Sequence, residues 1–191
     1  MNGAVQDWVN GLAGHSGLLD ALMRFSAVDL VFLLALVPPL VWFWPAEPAR
    51  RAANQRLAAS AVLAVAVSVG VAWALGHVFS EARPFVSDAD TRLLVHHSAD
   101  NSFPSDHVAF AAAIAGAFLI QRPRVGWLTL AGVVSIAFAR VFVGVHWPVD
   151  VLASLAFGSA AGVATARFER LWTGPQRAFS RVFPPLLVSS P

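Results

Sequence analysis

The sequence predicts an all-α, polytopic membrane helix bundle with about five transmembrane helices and an N-terminal interfacial helix. Three observations carry that expectation. Of the 191 residues, 57% are hydrophobic and only 13% charged, against roughly 45–50% and about 25% in soluble domains. The apolar residues are gathered into runs that approach the ~20 needed to cross a hydrocarbon core of about 30 Å. All 13 basic residues are arginines, and they fall between those runs rather than on one soluble face, which argues against a nucleic-acid partner. Cysteine is absent, so a disulfide framework, a thiolate nucleophile and cysteine-ligated metals are all excluded.

Residues 1–27 are only intermittently apolar, with Val5, Trp8, Val9 and Leu12 followed by Leu18, Leu19, Leu22, Met23 and Phe25. That spacing suits an amphipathic helix lying in the membrane interface. The segment lacks the basic start and small-residue cleavage site of a signal peptide, so no processing is expected. Residues 28–170 then form the membrane-embedded domain. Its first span, 28–44, contains Pro38 and Pro39, which a bundle tolerates where neighbours satisfy the freed carbonyls. The second, 57–79, has no Asp, Glu, Lys or Arg. The third, 108–120, is shorter, while 125–145 and 147–166 each carry one charge, Arg140 and Asp150, at their shared end. The segment 171–191, broken by Pro175, Pro184 and Pro185, reads as a surface tail. Most of the seven Trp residues fall near span ends, as in an aromatic belt.

Arginine placement orients the bundle. The side with the 45–56 loop carries Arg50, Arg51, Arg56, Arg122, Arg124, Arg167, Arg170, Arg177 and Arg181; the other carries Arg24, Arg83, Arg92 and Arg140. The first side is expected to be cytoplasmic, and with it the C-terminus. The outer side holds all six histidines and every acidic residue except Glu47 and Glu169. Any chemistry is therefore expected outside the cytoplasm.

Three clusters lie at outer span ends: Arg83-Pro84-Phe85, the run from Asn101 to His107, and the stretch from Arg140 through His146 to Asp150. Two Arg, two His, one Ser and one Asp without metal-ligand spacing point to metal-free phosphate chemistry. A planar guanidinium fork stabilises phosphoryl oxygens bidentately, which suits Arg83 and Arg140. His146 can be a nucleophile if a carboxylate holds its other ring nitrogen, and Asp150 lies within reach across a helix start at Pro148. His107 can protonate the leaving oxygen. Ser105 reads as the N-cap that places His107 in a first helical turn, whose free N–H groups and positive dipole would face a phosphate.

With these residues in view, the chain resembles the type 2 phosphatidic acid phosphatase superfamily, whose pattern is Lys-x6-Arg-Pro, Pro-Ser-x-His and Ser-Arg-x5-His-x3-Asp. Arg83-Pro84, Pro104-Ser105-Asp106-His107, and Arg140 with His146 and Asp150 match it in order and spacing. The wider run from His97 to His107, with Arg83-Pro84-Phe85-Val86 before it, is most similar to the bacitracin-resistance type of undecaprenyl-diphosphatase. The resemblance implies an enzyme of the bacterial inner membrane, facing the exterior, that needs no metal or cofactor. It would remove the terminal phosphate of a polyprenyl diphosphate, most simply undecaprenyl diphosphate, through a phosphohistidine on His146. His107 would be acid and then base, Asp150 would hold His146, and Arg83, Arg140 and Ser105 would bind phosphoryl oxygens. The expected partners are that substrate and membrane lipids. Alternatives are a phosphatidate or phosphatidylglycerol-phosphate phosphatase, and a non-catalytic lipid-binding or transport protein. Two positions depart from the pattern: Gly76 stands at the family Lys and Ala139 at the family Ser. His77 or Arg92 could replace the lost cation. His96 and His97 read as polar loop residues, as do Glu81, Asp88 and Asp90, with Asp100 and Asn101 bracing the loop.

Overall fold

The computed structural model describes residues 2–169; the predicted tail 171–191 and Arg170, Trp172, Arg177 and Arg181 lie outside them. Within the described residues the chain is helical, in the order α1 (Asn2–Asn10), α2 (Gly17–Val28), α3 (Leu30–Ala35), α4 (Val37–Trp42), α5 (Pro48–Val78), α6 (Pro84–Ser87), α7 (Asp106–Gln121), α8 (Pro123–Phe142) and α9 (Pro148–Arg167).

Proline sets most of the boundaries. Pro48, Pro84, Pro123 and Pro148 each occupy a first helical position, where the missing N–H would have had no partner anyway. Pro38 and Pro39 cannot donate to the turn before them, and the chain breaks at Leu36 between α3 and α4. α5, α8 and α9 are long and apolar enough to cross a membrane; α2 with α3–α4 forms a fourth apolar unit, bent by 43°, and α7 is a shorter apolar helix. The predicted all-α membrane bundle is thus present, with three membrane-capable helices among the described residues, or four if the bent pair counts as one span, where the sequence suggested about five. α2 and α3 meet at Asp29, so residues 17–28 lead directly into the first apolar run across that bend.

α7 is the central helix, packed on α9, α8 and α5. Val108, Ala109, Ala111, Ala112, Ala113, Ile114, Ala115, Ala117 and Phe118 are all buried. Its alanines allow close approach, and α9 answers with Ser154, Gly158 and Gly162 four residues apart on one buried face. A Cβ at Gly162 would lie 2.3 Å from the Ala113 carbonyl oxygen, and one at Gly158 2.6 Å from that of Ala109. The two backbones therefore touch, as small-residue stripes permit in membrane bundles. Ser68 of α5 donates to the Ala109 carbonyl at 3.0 Å, tying a third helix to the same centre. Leu128, Trp73, Leu152 and Phe32 remain exposed, an apolar exterior suited to lipid.

At the end of the bundle where α5 finishes and α7 begins, residues 79–105 fold over it. Ala82 and Asn101 form an antiparallel bridge, Ser102 N–H donates to Glu81 O, and Glu81 N–H donates to the Asn101 side chain. Asn101 Nδ2 lies within hydrogen-bond distance of the Gly76, Phe79 and Phe103 carbonyls, closing the end of α5. Asn10 of α1 donates to the Arg92 and Phe142 carbonyls and accepts from Arg92 N–H, so the N-terminal helix clips the same end.

Candidate active site

The turn between α8 and α9 builds the centre. Gly144 has φ +84°, a conformation open to glycine at little cost, and a Cβ there would meet Arg92 O at 2.8 Å. The tight turn brings His146 back under the last turn of α8, where its N–H reaches the Arg140 carbonyl at 3.3 Å. His146 is buried. Its Nδ1 lies 3.4 Å from Asp150 Oδ2, and that oxygen accepts from the Ser102 hydroxyl and from Trp147 N–H. Asp150 is thereby fixed at the third helical position of α9 and aimed back at the histidine.

The other ring nitrogen meets two cations. Nε2 is 3.1 Å from Arg140 NH2 and 3.4 Å from Arg83 NH1. Guanidinium N–H groups only donate, so Nε2 is an unprotonated acceptor and the ring proton sits on Nδ1, facing Asp150. Burial first, and then the Arg140 and Arg83 charges, hold His146 well below the ordinary histidine value of 6.5. The ring is neutral with a lone pair between two guanidiniums.

Both arginines are buried and each is braced. Arg83 donates from Nε to Asp100 at 2.7 Å, from NH1 to the Val145 carbonyl at 2.8 Å and from NH2 to the Asn101 carbonyl at 2.9 Å. Arg140 reaches the Ala27 carbonyl at 3.3 Å and His97 Nε2 at 3.1 Å. Four buried side-chain atoms around this centre have no hydrogen-bond partner: Arg140 Nε, the Ser105 hydroxyl, Asp150 Oδ1, and His146 Nδ1, which faces Asp150 Oδ2 at 3.4 Å. The first two are donors at the positions expected to bind phosphoryl oxygens, and an anion is what would satisfy them.

Ser105 is the N-cap residue of α7, but its hydroxyl makes no cap bond; its N–H donates instead to Ser154 of α9 at 2.8 Å. His107, at the second position of α7, is half-buried and within electrostatic reach of Arg140, His97 and Arg83. It also lines an apolar pocket of about 230 Å³ between α3, α5 and α7, with Val31, Phe32, Ala35, Val69, Asp106 and Phe110. Arg83, Arg140, His146 and Asp150 are in direct contact as a group, and His107 is close enough to feel the charge of both arginines. Among the described residues no three His, Asp or Glu side chains gather as metal ligands.

Neither proposed substitute for the missing lysine enters the site. His77 bonds the Trp73 carbonyl of its own helix, and Arg92 donates to the Ala13 carbonyl. His97 is in the loop, as read, but that loop carries it into the site, where its Nε2 lies 3.1 Å from Arg140 NH2. Asp100 likewise pairs with Arg83, and Ser102 and Ser154 support Asp150 and Ser105. Ser102 falls inside the run from Asn101 to His107, and Ser154 stands four residues after Asp150 on the same helical face.

The PAP2 superfamily profile matches residues 57–173, more than half of the chain. The Escherichia coli (strain K12) protein YbjG is 37% identical over 151 residues, 78% of this chain and 73% of its own. The undecaprenyl-diphosphatase BcrC of Bacillus subtilis (strain 168) is 33% identical over 172 residues, 90% of this chain and 86% of its own. Among solved structures, Aquifex aeolicus LpxE superposes with a TM-score of 0.69 at 22% identity, covering 87% of this chain and 94% of that one. Family match, shared length and common fold agree: the chain belongs to the PAP2 superfamily and is a membrane lipid phosphatase.

Proposed function

We propose that the protein removes the terminal phosphate of a polyprenyl diphosphate, with undecaprenyl diphosphate as the expected substrate, on the outer face of a bacterial inner membrane. The observation that carries this reading is the His146 lone pair held between Arg83 and Arg140 while Asp150 stands behind the ring. The apolar pocket at His107 gives a lipid chain a place beside the headgroup site. The relatives named undecaprenyl-diphosphatase support the choice of lipid.

The chemistry follows from the donors. The terminal phosphate enters between His146 and the two guanidiniums, which exchange their imidazole contact for phosphoryl oxygens; the unpartnered Ser105 hydroxyl and Arg140 Nε add two more hydrogen bonds. His146 Nε2 forms a bond to phosphorus as the bond to the bridging oxygen breaks. Asp150 stabilises the imidazolium through Nδ1–H. His107 gives its proton to the departing polyprenyl monophosphate. In the second half His107 takes a proton from water, the water oxygen bonds to phosphorus, and the N–P bond breaks, releasing inorganic phosphate and neutral His146. The two arginines supply the charge that a metal provides in other phosphatases.

Phosphate release by the detergent-purified protein, given polyprenyl diphosphates beside phosphatidate and phosphatidylglycerol phosphate, tests the substrate. Preference for the prenyl lipids is expected; preference for a glycerolipid would overturn that choice. His146→Ala should lower turnover by on the order of 10³ or more, and EDTA should leave the parent's turnover unchanged. Undiminished hydrolysis by His146→Ala would remove the nucleophile assignment.

A further inference from the structure

His97 lies in the site, yet the reaction above gives it no step. We propose that His97 is a positioning residue for phosphoryl transfer, holding the Arg140 guanidinium so that its free N–H groups meet the reacting phosphoryl group. The proposal rests on the reading of Arg140 as a phosphate-binding residue.

Arg140 has five N–H donors in a fixed fork. NH2 carries two of them, and both have imidazole acceptors at 3.1 Å: His146 Nε2 and His97 Nε2. NH1 makes one longer contact, 3.3 Å to the Ala27 carbonyl, and Nε is buried without a partner. One NH1 hydrogen and the Nε hydrogen therefore remain for an incoming anion. Entry of a phosphate in front of His146 removes one of the two NH2 anchors, because the phosphate must occupy the space from which Nε2 attacks. His97 is then the side chain that still holds that corner. Without it, the long Ala27 contact is the only bond left to keep the fork from turning with its substrate, and a fork that turns gives up part of the preorganisation on which transition-state stabilisation depends.

His97 has the right protonation state for this. Its Nδ1 is 3.1 Å from the Ser98 carbonyl oxygen, which can only accept, so Nδ1 carries the proton and Nε2 presents a lone pair to Arg140. The loop does not need His97 to hold its place. Asp100 is bonded to Arg83 and to the Ser98 hydroxyl, and Asn101 fastens the following residues to the end of α5. Removing the imidazole should thus release Arg140 while leaving the loop anchored.

The test compares His97→Leu, which removes the acceptor, with His97→Gln, whose amide oxygen can accept from Arg140. Polyprenyl diphosphate hydrolysis and orthovanadate inhibition would be measured for each, with His146→Ala alongside. His97→Leu should lower kcat by on the order of ten- to a hundredfold, with KM changed by less than about threefold, since the loss falls on the transition state. Orthovanadate, which adopts the five-coordinate geometry, should lose affinity in parallel. His97→Gln should recover most of the loss. Unchanged kcat in His97→Leu would overturn the proposal, and so would equal losses in both variants, which would mark a packing role. Neither result touches the underlying phosphatase reading, which fails separately if His146→Ala retains turnover.

Discussion

A neutral imidazole walled by two guanidiniums is stable only while its surroundings refuse it a proton, and this has a consequence for stability. Burial, ahead of the arginine charges, depresses His146, and burial likewise depresses His97, opposed by its bond to the Ser98 carbonyl. An unfolded chain takes up these protons near the ordinary value of 6.5, so below it the unfolded state binds more protons than the folded one. The stabilising contribution is whole above about pH 6.5 and declines on acidification. Asp100 behaves differently: burial pushes it up, but the Ser98 hydroxyl and Arg83 outweigh burial and leave it below 3.8, so it stays ionised over that window. The melting temperature of the purified protein should fall between about pH 7 and about pH 5, and less steeply in His146→Gln; a flat profile in the parent would contradict the buried neutral ring. Arg83, His107, Arg140, His146 and Asp150 were legible in the sequence because each stands in a short motif at a span end. His97 was not. It comes to Arg140 from 43 residues away, and no local spacing signals a contact made by a loop folding over a bundle.

Among the helices, the contact of α7 with α9 matters most, because Ser105 and His107 sit at one end of α7 and Asp150 at the facing end of α9. Small residues let the axes approach, and a larger side chain there has no room. Gly162→Val should destabilise the protein by about 1–3 kcal/mol or more, read as a lower melting temperature, with activity falling in step as α9 is pushed off α7. Gly70→Ala is the matching control, since a Cβ there meets nothing within 4 Å; it should be neutral or stabilise by up to ~1 kcal/mol. Equal loss in the two variants would contradict the backbone contact. The spans themselves could be read from hydropathy, and proline marked their starts. What hydropathy could not give was the course of residues 17–28: their apolar spacing fits an interfacial helix and the first half of a bent pair equally well, and packing against α8 is a tertiary effect.

For the whole molecule, the uneven distribution of arginine predicts an outward-facing site, and the absence of cysteine makes the orientation directly measurable. In intact cells, Asp90→Cys, exposed in the loop after α6, should react with a membrane-impermeant thiol reagent; Arg50→Cys, exposed at the start of α5, should react only after permeabilisation. The reverse pattern would turn the bundle over. The central claim is that the clustered arginines and histidines serve one phosphate attacked by His146. Acid-sensitive, alkali-stable phosphohistidine can be sought after rapid quenching of His107→Ala with substrate labelled in its terminal phosphate. His107→Ala slows both half-reactions, but a phosphate leaving group needs the acid less than the attacking water needs the base, so the intermediate should accumulate, with the label on His146 and absent when His107→Ala is combined with His146→Ala. Label on another residue, or steady hydrolysis by a chain lacking His146, would contradict the claim.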